Sequence, residues 1–192
     1  MKSVKNNENT IVIKNSRFIC LLYQVDRKED IDNILSSVRF KYNDAPHCCY
    51  AYILDNLKKD SDDGEPSGTA GIPMLQVLEK NDLNHVLCIV VRYFGKIKLG
   101  AGGLVRAYTK SVTEALKNHV VILNEGVCAT IMFSYDNLKN IDYFFKDKLI
   151  IKKEFNDIIK YIVHISLDDL ERLKNLSNVE VIVNYSIYLS RE

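Results

Sequence analysis

The residues best suited to chemistry lie in one stretch, Arg92 to Arg106, which reads RYFGKIKLGAGGLVR. It carries Arg92, Lys96, Lys98 and Arg106, four glycines and no acidic residue. Leu104, Tyr108, Val112 and Ala115 follow at helical spacing, so the loop empties into a helix N-terminus near Gly102-Gly103. Free backbone N–H groups and the positive end of the helix dipole collect at such a terminus. With cations around them they form a physical recipe for an anion, phosphate first. The candidate anion or nucleic-acid ligands are therefore Arg92, Lys96, Lys98, Gly100, Gly102, Gly103 and Arg106. Their spacing fits neither the dinucleotide-binding nor the Walker pattern, which leaves a tight structural connection as the alternative.

A second stretch, Ser61 to Gly71 (SDDGEPSGTAG), holds three acidic residues, Asp62, Asp63 and Glu65, in a glycine- and proline-containing loop. Three readings stand side by side. The carboxylates could hold a hard cation, although the cation-loop pattern with its glutamate at the twelfth position is absent. They could work as a general acid and base, or they could simply cap backbone N–H groups or pair with the basic loop. Opposite charges in one domain predict that Asp62, Asp63 and Glu65 share a groove with Arg92 and Arg106. An exposed ion pair there is worth only about 0–1 kcal/mol.

The other candidates are weaker. His47 and Cys49 lie on one face of a strand, but two further metal ligands at suitable spacing are missing, so no metal site is expected. No third residue orients them as a nucleophile and base. Ser67 and Thr69 lack a nucleophile elbow. No catalytic set can be assembled and no cofactor motif is present. Tyr93 and Phe94 could stack on bases, although a core-facing aromatic is the plainer reading.

These residues need elements to position them. The chain has 192 residues, 47% of them hydrophobic, enough for one large domain or two small ones. Its 26 basic and 25 acidic residues give a formal charge of +1, so any polyanion must be met by a local patch. Five cysteines without CxxC spacing predict reduced thiols and a cytoplasmic protein. No run of about 20 apolar residues predicts a membrane span. Met1 to Asn9 is polar and reads as a frayed end. Strands are predicted at Ile11 to Ile13, Phe18 to Val25, His47 to Leu54 and Val86 to Val91, with helices at Asp26 to Tyr42, just after Gly71, and at Leu104 to Asn118. Asn56 to Ser61 reads as a loop, and Asn124 to Gly126 as a domain boundary.

The remainder alternates cleanly: strand Val127 to Ser134, helix Asp136 to Lys146, strands Leu149 to Phe155 and Ile158 to Ile165, helix Leu167 to Leu176 capped by Ser166, and strand Val179 to Leu189. That is the βαββαβ order of a ferredoxin-like domain. The expected organisation is thus α+β, with domains at 1–125 and 126–192, which carry formal charges of +2 and −1.

The segments SDDGEPSGTAGIPML, VVRYFGKIKLGAGGLVRAY, SRFI and HCCYAY together resemble the Impact family in its bacterial form. The resemblance runs over nearly the whole chain. It implies an N-terminal α/β domain of the ribosomal-protein and elongation-factor kind, with a left-handed βαβ crossover, followed by a ferredoxin-like domain. Lys96 stands where the family usually has a second glycine after the aromatic pair, and a position that demands positive φ would strain it. The resemblance further implies translation regulation, so the expected partners are RNA or the ribosome, or a translation-linked protein, with no membrane. The alternative is an enzyme acting on a phosphorylated or acidic small molecule between the two loops.

Overall fold

A tight reversal starts the first sheet. In the computed structural model, which describes residues 1–190, Lys14 and Asn15 adopt φ of 46° and 63° between β2 (Asn7–Ile13) and β3 (Ser16–Gln24). Two left-handed residues match the right-handed twist of the flanking strands, which is why the pair folds as a two-residue hairpin. The chain then crosses through α1 (Lys28–Lys41) to β4 (His47–Leu54), turns into β5 (Leu57–Ser61), and passes through α2 (Gly71–Lys80) to β6 (Val86–Tyr93). The sheet order is β2-β3-β6-β4-β5, with every neighbouring pair antiparallel. Consequently β3 and β4 run parallel, with β6 inserted between them.

Side-chain alternation divides this sheet between two cores. Phe18, Cys20, Cys49, Ala51, Cys88 and Val90 pack toward α2 and α3 (Ala101–Leu116), whereas Ile19, Leu21, Tyr52, Leu87, Ile89 and Val91 pack toward α1. A strand covered on both faces has no polar side to show, and β6 accordingly reads as an unbroken apolar run. Each fully buried large side chain contributes about 1.5–3 kcal/mol.

Two polar segments read as irregular in the sequence are strands. Lys2–Val4 forms β1, paired antiparallel with Val120–Ile122 of β7 (Val120–Phe133), and Ser3 and Val4 are buried. Three residues are too few to display a period, and their partner lies more than a hundred positions away. Asn7–Asn9 belongs to β2 rather than to a frayed end. Leu57–Ser61, expected as a loop, is the edge strand β5; an edge strand tolerates the charges of Lys58, Lys59 and Asp60.

Asn124–Gly126, read as a domain boundary, lies inside the continuous strand β7. The division into Met1–Ile122 and Leu123–Glu192 falls within that strand. In the second unit, β7 is followed by a short 3-10 turn (Tyr135–Asn137), α4 (Leu138–Phe144), β8 (Ile150–Phe155), β9 (Ile159–Ser166), α5 (Leu167–Lys174) and β10 (Val179–Ser190). The order β10-β7-β9-β8, antiparallel throughout, is ferredoxin-like. Ser166 caps α5 as its sequence predicts, its hydroxyl accepting from Asp169 N at 3.1 Å. Among the described residues no helix is long and apolar enough to cross a membrane.

Candidate anion-binding site

The basic loop is held at its start by a backbone contact. A Cβ on Gly95 would stand 2.0 Å from the carbonyl carbon of Asn15, so only glycine lets the loop lie against the β2–β3 turn. Gly95 N donates to Ser16 Oγ at 3.1 Å. Lys96, next in line, has φ of +67°, so the position does demand the left-handed region, and its lysine is strained there.

The loop ends at Gly100, the N-cap of α3, with φ of +71°. Helix α3 begins at Ala101, three residues earlier than its apolar spacing predicts, which puts Gly102 and Gly103 inside the first turn. No side chain caps this end and the first turn holds no acidic residue. Leu104 N bonds to Gly100 O at 2.9 Å, and the amides before it have no carbonyl within the helix to reach. A Cβ on Gly100 would meet nothing within 4 Å, so this end of the helix faces open space.

The four cations do not act as one set. Lys96, Lys98 and Arg106 are exposed, and none of them makes an ion pair among the described residues. Arg92 is only 5% exposed, and its Nη1 donates to Glu65 Oε1 at 2.6 Å. Glu65, 8% exposed, accepts on the same oxygen from the Tyr108 hydroxyl at 2.8 Å. Arg92 Nε is buried with no hydrogen-bond partner among the described residues; such an orphaned donor costs about 1–3 kcal/mol.

The acidic loop turns inward rather than facing its basic neighbour as a group. Asp62 accepts from the backbone N–H groups of Gly68, Ala70 and Gly71 at 2.7, 2.9 and 2.9 Å, and so serves the N-terminus of α2. Burial works against its charge, yet these three donors win and hold its pKa below the usual carboxylate value. Asp63 pairs with Arg39 and accepts from Cys48 N at 2.6 Å. Of the predicted shared groove, only Glu65 and Arg92 meet, and they meet as a buried pair rather than an exposed one. The preference of helix-terminal amides and of Arg39 for the nearer carboxylates takes the other two away.

His47 and Cys49 brace this loop. The imidazole Nδ1 lies 3.0 Å from Asp63 O, and the Cys49 thiol lies 2.9 Å from Asp62 O and 3.3 Å from the Tyr108 hydroxyl. Burial pushes the Cys49 pKa up to about 12, which keeps it a thiol, and raises that of the Tyr108 hydroxyl as well. Among the described residues no three His, Cys, Asp or Glu side chains gather as metal ligands.

Two hollows adjoin the loop. One, of about 280 Å³, is lined by Glu65 and Pro66 from the acidic loop and by Arg92, Phe94, Lys98 and Gly100 from the basic one. Of the aromatic pair, Tyr93 packs against the core and Phe94 is 51% exposed there. The other, of about 300 Å³, brings Arg106 together with Lys14 and Lys110. Leu99 lines both. Lys14 and Lys110 escaped sequence reasoning because each stands alone in its own stretch; Tyr108 escaped because a tyrosine in an apolar helical stripe reads as core.

Comparison with known proteins agrees with this architecture. The chain is 46% identical over 132 residues to the Impact family member YvyE of Bacillus subtilis (strain 168), covering 67% of this chain and 60% of that protein. It is 44% identical over 110 residues to the family member YigZ of Escherichia coli (strain K12), covering 55% and 54%. The matched part thus spans little more than half the length of these relatives. The crystal structure of a hypothetical protein superimposes with a TM-score of 0.60 at 30% identity, covering 96% of this chain and 97% of that one. The two-domain translational regulator Yih1 gives a TM-score of only 0.39 at 21% identity, over 59% and 46% of the two chains, a likeness too low to bear on fold or function. The Impact N-terminal domain matches residues 14–116, more than half of the 192, and the chain therefore belongs to the Impact family.

Proposed function

We propose that this protein is a non-enzymatic, translation-associated regulator that engages RNA phosphates through the basic face formed by Lys96, Lys98 and Arg106 with Lys14 and Lys110. The observation that carries the reading is the separation of charge. Asp62, Asp63 and Glu65 are each taken up by partners outside the set Lys96, Lys98 and Arg106, so nothing in the acidic loop pairs with those exposed cations. A local positive patch on a chain of near-zero net charge suits a polyanion met at short range. Family membership supports the link to translation, as its resemblance implied.

Replacing Lys96, Lys98 and Arg106 together by alanine tests it. For a single strand each lost phosphate contact takes about 0.7 from the log–log salt slope, so the triple variant should lose up to about 2 units along with affinity. Fluorescence anisotropy on a labelled RNA oligomer across a salt series reads this, with circular dichroism to verify folding. Equal slopes in two folded proteins would remove the loop from RNA binding, and no binding by the wild type at low salt would turn the search to a protein partner.

The second reading, an enzyme on a phosphorylated or acidic small molecule, draws on the hollow where Glu65 and Arg92 meet. Turnover of phosphorylated compounds by the wild type that is lost in Glu65→Gln would establish it over the first.

A further inference from the structure

In the second unit, β8 pairs with β9 on one side and, among the described residues, with no strand on the other. A free edge presents unpaired N–H and C=O groups and is a template for a further strand. Around this edge Leu149, Ile151, Phe155 and Ile158 are each half exposed or more. Lys152 and Glu154 lie between them on one face of the sheet, opposite Ile162 and Lys160 of β9.

Backbone geometry restricts how such a strand can meet its own copy. Successive residues turn their N–H and C=O groups to alternate sides, so with β9 on one side only every second residue of β8 offers them outward. In an antiparallel pair the offering residues must stand opposite one another. A two-fold axis relating two copies of β8 therefore passes through a residue, never between two. Through Lys152 it would set Lys152 against itself and Ile151 against Lys153; through Glu154 it would set Glu154 against itself and Lys153 against Phe155. Through Lys153 it sets Lys152 against Glu154 of the second copy, twice, and brings Ile151 abreast of Phe155, also twice. Lys153 then faces itself, but each Lys153 ammonium is held by its own Asp142 at 2.8 Å.

We propose that β8 joins β8 of a second copy of this chain, antiparallel about a two-fold axis at Lys153. The other outer strands lack this self-complementarity. β2 and β10 carry one charged residue each, Glu8 and Glu180, and so no charge pattern to fix a register. β5 has a similar run, Lys58-Lys59-Asp60, but Lys58 is paired with Glu79, the Asp60 carboxylate is turned toward Gly71, and Leu57 would meet Ser61. The bulge at Ile151 confines regular pairing to Lys152–Phe155, so the dimer forms with rising concentration rather than as a permanent assembly.

Sedimentation equilibrium of the full chain, from micromolar to millimolar concentration, should show a monomer passing into a dimer. Lys152→Glu sets acid against acid at two places and Glu154→Lys sets base against base, so each should weaken self-association about tenfold or more. Mixing the two variants should restore a dimer, as should both exchanges in one chain, because opposite charges again stand opposed. Lys153→Cys should give a covalent dimer on mild oxidation, since its Cα meets its own copy at about 4.5–5.5 Å. Lys152→Cys should not, because its own copy lies about 8 Å away, beyond the span of a disulfide. A wild type that stays monomeric throughout overturns the proposal. So does a dimer indifferent to both charge reversals, whose interface would lie elsewhere on the surface, and so does a cross-link through position 152 rather than 153.

Discussion

Breaking the pair under the hollow should be costly, and the cost should be non-additive. Glu65→Leu leaves the Arg92 guanidinium and the Tyr108 hydroxyl without their acceptor, and Arg92→Met leaves a carboxylate buried with one neutral donor. Removing one partner of a buried ion pair costs about 3–5 kcal/mol, because the survivor's desolvation is no longer compensated. The double variant replaces charge by apolar volume and retains only the unpaired Tyr108 hydroxyl, for about 1–3 kcal/mol. The two single costs therefore sum to about 6–10 kcal/mol while the double should cost far less, a coupling of at least about 3 kcal/mol. Urea unfolding followed by far-UV circular dichroism measures each corner of the cycle, and raising the salt concentration should change it little, since buried charges are poorly screened. Single variants that each cost under about 1 kcal/mol, the range of exposed pairs, would refute the reasoning, as would a strictly additive double.

Three further outcomes are expected. Lys96→Gly relieves a left-handed residue and should stabilise the protein by about 1 kcal/mol, read as a higher urea midpoint; a lower midpoint would mean that the lysine side chain holds the loop. His85 is buried, its Nε2 is 2.9 Å from Asp55 Oδ1 and its Nδ1 is 3.7 Å from Asp26; burial lowers its pKa, yet the two carboxylates win and raise it above 6.5. Because the folded value exceeds the unfolded one, its stabilisation is complete below about pH 6.5 and fades as pH rises through the folded value, so the deficit of His85→Asn in urea melts should shrink from pH 6 to pH 8. Finally, residues 123–192 expressed alone should give a mixed α/β far-UV spectrum and a cooperative melt, since β7, β9, β8 and β10 enclose their own core; an unfolded chain would show that the first unit is needed for packing.

Several features follow from the sequence by itself, because short-range physics sets them. The apolar and aromatic runs of β3, β4 and β6, the serine before α5 and the strand–helix order of the second unit are local patterns, and each forms where its residues predict. The basic glycine-rich loop entering α3 was legible for the same reason, as was the strain at Lys96 once a glycine was expected there. Long-range pairing decided the rest. Arg92 and Glu65 are 27 positions apart, and nothing near either one marks the pair as buried. Asp62 had three plausible roles until folding placed the start of α2 around it, and Asp63 until α1 brought Arg39 within reach. Lys2–Val4 became a strand only because β7 offered it an edge, and β7 ran straight through Asn124–Gly126 because β10 pairs with all three residues and β9 joins from Gly126. A side chain's type limits what it can bond, but only the tertiary structure decides which partner arrives first and whether water is left between them.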